Sequence, residues 1–197
     1  KEMLSHKKSL NILKKTNALL EGHFVLSSGL HSSRYIQCAK LLSYPNKADL
    51  ICKSLAKKIK KKFKKIDLIL TPAMGGIIIG YEIGKILKKE TIFCERVNGK
   101  FILRRGFSIK KNSRVLIIED VITTGKSSME CVKLIKKARA KLIGFASIID
   151  RSSKKSLKIN QKIVSQFKIN VPTYKKDKLP DHLKSIPITI PGSRFIK

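Results

Sequence analysis

Apolar residues recur along the chain in two rhythms. From Ser5 onward, Leu10, Leu13 and Leu20 fall on a helical period behind an N-cap serine and predict a first helix over 5–20. HFVLSSGLHSSRYIQCA, residues 23–39, sets short β-prone runs around an S-S-G-L-H-S turn and predicts a hairpin. Beyond Pro45, residues 46–63 predict an amphipathic helix. A repeating unit then begins. IDLILT (66–71) is a buried strand, followed by the turn PAMGG and a helix through Lys88. TIFCE (91–95) is a strand that runs into the polar stretch RVNGKFILRRGFSIKKNS. RVLIIED (114–120) is a strand followed by VITTGKS and a helix to about Ala140, and KLIGFASIID (141–150) is a further strand ending at Arg151.

Strands that are continuously apolar and alternate with helices predict an α/β fold, with a mostly parallel sheet covered on both faces. The tail, 152–197, combines one β-like run, IVSQFKI, with Pro-punctuated loops, and is expected to pack against the start of the chain. The whole of 1–197 reads as one domain: a core of about 45–151 and a small hood from about 1–44 with 152–197.

Composition narrows the class. With 197 residues, 42% of them hydrophobic, the chain can build a core and is not disordered. No apolar run approaches the ~20 residues of a membrane-spanning helix. KEMLSHKKSLNILKK has no continuous apolar stretch of the secretory kind. The cysteines, Cys38, Cys52, Cys94 and Cys131, show no C-x-x-C and no Cys/His pairing; they read as packing residues in a reducing, cytoplasmic compartment. His23 and His31 flank the hairpin turn and are assigned a hydrogen-bonding role, while His6 and His182 look incidental.

The net charge is +31, from 44 Lys plus Arg against 13 Asp plus Glu. Such a balance invites a nucleic-acid reading, but its distribution argues for a basic surface instead. The densest run, Lys57 to Lys65, keeps Ile59, Phe63 and Ile66 at near-helical spacing, as the solvated face and end of a helix would. Nucleic acid is therefore not an expected partner, whereas anionic small molecules should be attracted. Where Lys is the default cation, an Arg marks a place that needs a planar fork for phosphate or carboxylate; Arg96, Arg104, Arg105 and Arg151 all fall near the motifs below.

The strongest of these motifs is VLIIEDVITTGKSS, residues 115–128. An apolar strand delivers Glu119 and Asp120, and a loop of small and hydroxylic residues then opens a helix. In an open α/β sheet, ligands bind beyond the carboxyl ends of the strands. Thr123, Thr124, Gly125, Lys126 and Ser127 can turn N–H groups and hydroxyls toward one anion at the helix N-terminus. The carboxylates cannot serve that anion; they would accept from a polyol, or face a cationic transition state or Mg²⁺. A phosphorylated sugar satisfies both halves of the loop. Neither a Walker loop nor a dinucleotide fingerprint is present.

The string resembles the phosphoribosyl pyrophosphate (PRPP) motif of the type I phosphoribosyltransferases, and the chain as a whole is similar to their bacterial-type orotate-using branch. HFVLSSGLHSSRYIQCA resembles that family's hood, PAMGGIIIG its pyrophosphate loop, ERVNGKFILRRGF its mobile catalytic loop, and IIDRS with the terminal PGSR its later segments. The likeness spans roughly residues 20–197. It implies a type I phosphoribosyltransferase fold, and transfer of the phosphoribosyl group from PRPP to orotate in pyrimidine synthesis. Glu119 and Asp120 would hold the ribose hydroxyls, with Val121, Ile122, Thr123, Thr124, Gly125, Lys126 and Ser127 forming the PRPP loop. Ala73, Met74, Gly75 and Gly76 would offer backbone to the pyrophosphate. Thr123 and Arg151 would contact orotate. Arg96, Lys100 and Arg104, with Arg105 beside them, would come from a loop at 96–106 that reaches the neighbouring site of a homodimer. Mg²⁺ would be held mainly by PRPP, with no protein ligand assigned.

Some family members carry a lysine where this chain has Ser27 and another near Gly75. The lysine–histidine pattern of the catalytic loop is replaced here by Arg104 and Arg105. Thr123 stands where purine-specific relatives usually place an aspartate. A purine-using transferase and a PRPP-sensing or RNA-binding regulator on the same fold are the alternatives.

Overall fold

The computed structural model describes residues 3–26, 28–153, 159–161 and 163–191. Ser27 and residues 192–194 of the PGSR string lie outside them. The first helix, α1 (His6–Lys15), starts where expected: Ser5 is extended and its Oγ accepts the Lys8 N–H at 3.2 Å. It stops earlier than the apolar spacing predicts. The Thr16 hydroxyl donates to the Ile12 and Leu13 carbonyls, and Asn17 turns to positive φ, so Leu20 is a strand residue. The hairpin accordingly begins sooner, as β1 (Leu19–Val25) and β2 (His31–Ile36), followed by the short α2 (Cys38–Leu42).

Pro45 opens α3 (Pro45–Lys62), which ends in three lysines suited to a helix C-terminus. One lysine of that run is not on the solvated face: the Lys58 ammonium donates to the carbonyls of Ser165 and Gln166 on an edge strand, and burial lowers its pKa. The alternation then proceeds through β3 (Leu68–Pro72), α4 (Gly76–Leu87), β4 (Glu90–Val97), β5 (Lys100–Leu103), β6 (Arg114–Ile122), α5 (Lys126–Lys137) and β7 (Lys141–Asp150). The tail adds β8 (Ile163–Lys168), β9 (Thr173–Tyr174), α6 (Asp181–Lys184) and β10 (Ile188–Thr189).

Two sheets result, a six-stranded one in the order β5-β4-β3-β6-β7-β8 and a four-stranded one in the order β10-β1-β2-β9. Every pairing in the large sheet is parallel except β4 with β5. Strand β6 shows why both faces are apolar. Leu116 and Ile118 join the core under α3 and α4, while Val115 and Ile117 join the core under α5. This is the α/β architecture that the apolar runs predict.

Three expectations are corrected. The polar stretch after β4 contains a strand: Asn98 and Gly99, both at positive φ, turn the chain so that Arg96 pairs with Phe101. Strand β6 runs two residues beyond Asp120, because Val121 and Ile122 still pair with Ile149 and Asp150. The tail does not belong wholly to the hood. β8 extends the large sheet beside β7, so the core continues past residue 151, and only β9 and β10 pair with the hairpin.

Candidate active site

The carboxyl ends of β3, β6 and β7 bring the singled-out segments to one edge of the large sheet. At the end of β6, strand alternation sends the adjacent carboxylates to opposite faces. Glu119 turns toward α5, where the Ser128 hydroxyl donates to its Oε1. Asp120 turns toward the start of α4, accepting the Val121 N–H on Oδ1 at 2.8 Å. Burial pushes the Glu119 carboxyl up to about 7; the Ser128 hydroxyl pulls it down and the Asp120 charge pushes it further up. Asp120 is also raised by burial, against the pull of the Val121 N–H.

Beyond them lies the loop read from the sequence as a phosphate cradle, running from residue 123 into α5. Gly125 caps α5 in the left-handed conformation (φ 74°, ψ 14°), which a side chain would strain. The Thr124 hydroxyl accepts the Lys126 N–H at 3.3 Å. A hollow of about 140 Å³ is lined by Glu119 and by Val121 through Ser127. The N–H groups at the first turn of α5 and the Lys126 ammonium make it a place that suits a phosphate.

The turn between β3 and α4 lies alongside. Ala73 N–H donates to the Cys94 carbonyl at 2.8 Å, the Ala73–Met74 peptide is cis, and Gly75 and Gly76 enter α4. Gly75 packs directly on the Asp120 carboxylate. Arg151 follows β7. Its backbone N–H donates to the Ile122 carbonyl at 2.9 Å, which sets it beside the cradle, and its buried Nε has no hydrogen-bond partner among the described residues. Burial lowers the guanidinium pKa. Asp150 holds this corner, accepting both the N–H and the hydroxyl of Ser152.

The arginines of the catalytic-loop segment divide into bound and unbound. Arg96 is paired with Glu130 on α5 at 2.9 Å and stacked over Phe101. Arg105, with positive φ, forks onto Glu95 through two bonds of 2.9 Å. Lys100 and Arg104 are exposed and have no ion pair among the described residues. Sequence reasoning missed Ser128, Glu130 and Glu95. The i+3 spacing of Ser128 from Gly125, at the buried side of a helix start, was the one available signal.

The remaining candidates are structural. His23 Nδ1 faces the Ile186 carbonyl, so it carries the proton, and His23 Nε2 accepts from His31 Nδ1 at 2.7 Å. All the cysteines are buried and free. Among the described residues, no group of three or more His, Cys, Asp or Glu side chains gathers as a metal centre, and no helix is long and apolar enough to cross a membrane.

Comparison with known proteins agrees with this geometry. Residues 40–178 match the model of the phosphoribosyl transferase domain. The orotate phosphoribosyltransferase of Parvibaculum lavamentivorans is 45% identical over 98% of this chain and 100% of its own length. That of Caldicellulosiruptor saccharolyticus is 43% identical over 95% and 97%. The crystal structure of the Aeropyrum pernix orotate phosphoribosyltransferase shares the fold with a TM-score of 0.68, at 23% identity over 81% of this chain and 92% of that one. A matched domain over most of the sequence and relatives of this similarity at full length settle the affiliation: the chain belongs to the phosphoribosyltransferase family, in its orotate phosphoribosyltransferase branch.

Proposed function

We propose that the edge formed by β3, β6 and β7 displaces pyrophosphate from C1 of PRPP by N1 of orotate, giving orotidine 5-phosphate for pyrimidine nucleotide synthesis. The observation that carries this reading is the loop 119–127. A buried carboxylate (Glu119), a half-buried one (Asp120) and a phosphate-sized hollow share one turn of chain, and Arg151, whose Nε has no partner among the described residues, is tied to that loop through the Ile122 carbonyl.

The roles follow from the chemistry of each group. Gly125, Lys126, Ser127 and the hydroxyls of Thr123 and Thr124 bind the 5-phosphate. Glu119 and Asp120 accept from the ribose hydroxyls, and their negative charge lies beside a ring that gains oxocarbenium character as the C1 bond breaks. The backbone of Ala73, Met74, Gly75 and Gly76 faces the leaving pyrophosphate. Arg151 offers its fork to the orotate carboxylate or ring oxygens. Thr123 suits a base that arrives already anionic through its carboxylate; as the N1–C1 bond forms and the C1–oxygen bond breaks, the N1 proton leaves to solvent or to the departing pyrophosphate.

The donor set of two carboxylates with hydroxyls and backbone fits a Mg²⁺ carried on PRPP, where it would neutralise developing charge on the pyrophosphate. Further cations come from Arg104 and Lys100, because Arg96 and Arg105 are already committed to Glu130 and Glu95.

The working unit is a homodimer, in which segment 96–106 serves the neighbouring site. Its support is an exposed apolar stripe running into α4: Met74 (83% exposed), Ile78 and Tyr81 (64%) recur at helical spacing and would be covered by a second copy. The protein is assigned to the cytoplasm, with its cysteines reduced.

A spectroscopic assay of orotate loss with PRPP and Mg²⁺ tests the proposal. Turnover of orotate is expected, with Asp120→Asn slowing it while the fold stays intact. Consumption of PRPP with adenine, guanine or hypoxanthine but not orotate would overturn it.

A further inference from the structure

Two adjacent serines at the start of α5 face in different directions. Ser127 lines the hollow of the cradle. Ser128, about 100° further around the helix, is fully buried, and its hydroxyl donates to Glu119 Oε1 across the loop. That is the only hydrogen bond to the Glu119 side chain among the described residues. Ser147, opposite Glu119 in the β6–β7 register, gives its own hydroxyl to the Ile149 carbonyl. A buried carboxylate is costly unless hydrogen-bonded, and here one hydroxyl meets that need.

We propose that Ser128 is a positioning residue for the transfer reaction: by occupying Oε1 it orients the Glu119 carboxylate so that Oε2 meets a ribose hydroxyl of PRPP, without itself touching substrate. A glutamate at a strand end has three side-chain torsions to settle, and a partner on one oxygen removes most of that freedom before PRPP arrives. The same bond ties the first turn of α5 back to β6, so the cradle between them closes as one piece. A serine in a helix commonly turns its hydroxyl to the carbonyl four residues earlier; here the bond goes to Glu119 instead.

The inference rests on the assignment of Glu119 to the ribose, and a double-mutant cycle separates the two. Glu119→Gln alone tests the assignment and should raise KM for PRPP. Ser128→Ala should raise KM for PRPP by about tenfold, the scale of a lost hydrogen bond to a charged group, with KM for orotate unchanged. In the Glu119→Gln background, Ser128→Ala should add nothing. Ser128→Thr keeps the hydroxyl and should restore the PRPP KM. An equal effect of Ser128→Ala in both backgrounds would overturn the positioning role. So would a parallel rise in the orotate KM, or a Ser128→Thr protein of wild-type melting temperature with the Ala variant's KM. A wild-type PRPP KM in Glu119→Gln would remove the ribose assignment and the inference together.

Discussion

Gly75 lies against the Asp120 carboxylate: a methyl group at Gly75 would stand 2.8 Å from Asp120 Oδ2 and 3.0 Å from Oδ1. The turn proposed to face the pyrophosphate and the strand proposed to hold the ribose thus meet through a residue without a side chain. Gly75 is exposed and at an ordinary helical φ, so alanine is tolerated by the backbone and acts only by displacing the carboxylate. Gly75→Ala is expected to lower kcat/KM for PRPP by about a hundredfold, the scale of a misplaced reacting group, with the melting temperature unchanged. Steady-state kinetics beside a thermal melt will separate the two effects.

The Glu119 carboxyl titrates near 7 because it is buried, and this sets the sign of a pH effect. Below that pH the group carries a proton and no longer serves as a charged acceptor for the ribose. Log kcat/KM for PRPP should therefore fall with unit slope as pH drops below about 7, and Glu119→Gln should flatten that limb. Stability runs the opposite way. A folded pKa raised from 4.5 contributes stability that is complete below the unfolded value and is lost as pH rises through about 7. Glu119→Gln should accordingly gain melting temperature relative to wild type at pH 8 more than at pH 5, measured by calorimetry.

Arg151 is anchored by its backbone at Ile122, and its Nε has no partner among the described residues. Arg151→Ala is expected to raise the orotate KM by roughly tenfold to a hundredfold, as for loss of a charged hydrogen-bond pair, and to leave the PRPP KM nearly unchanged. Arg151→Lys should recover only part of the loss, because an ammonium lacks the fork. Equal effects on both substrates would remove Arg151 from the orotate site.

Arg104 in one subunit and Asp120 in the other complete one site if segment 96–106 crosses the dimer. Arg104→Ala and Asp120→Asn should each be nearly inactive. Unfolded together and refolded as a mixture, they should regain about a quarter of wild-type activity, since half the dimers are mixed and each has one intact site. A mixture as inactive as its parents would show that the segment serves its own subunit. Arg105→Ala, which removes the Glu95 pair and the contact over the Phe93 ring, should cost far less than Arg104→Ala.

The apolar runs of β3, β6 and β7 were legible because strands buried on both faces admit few polar residues. The loop proposed as a phosphate cradle could be picked out for a related reason: its groups are consecutive in sequence, so one string contains the whole constellation. Strand β5 was overlooked although Asn98–Gly99 is a strong hairpin signal, because KFIL is short and set in a lysine-rich stretch. Nothing in the periodicity indicated that β8 joins β7 while β9 and β10 leave for the other sheet. The pairs Arg96–Glu130 and Arg105–Glu95 and the bond from Ser128 to Glu119 join residues whose meeting depends on how helices and hairpins dock. Spacing along the chain does not carry that information.

The small sheet is assembled from segments far apart in the chain: His23 meets the carbonyl of Ile186, 163 residues away, and β10 aligns with β1. On a ribosome the β1–β2 hairpin must wait, its outer edges unmated, until the segments that carry β9 and β10 have been made and have cleared the exit tunnel. Folding of the small sheet therefore joins an early segment to much later ones, and a nascent chain stalled short of Ile188 holds the hairpin with its β1 edge still open.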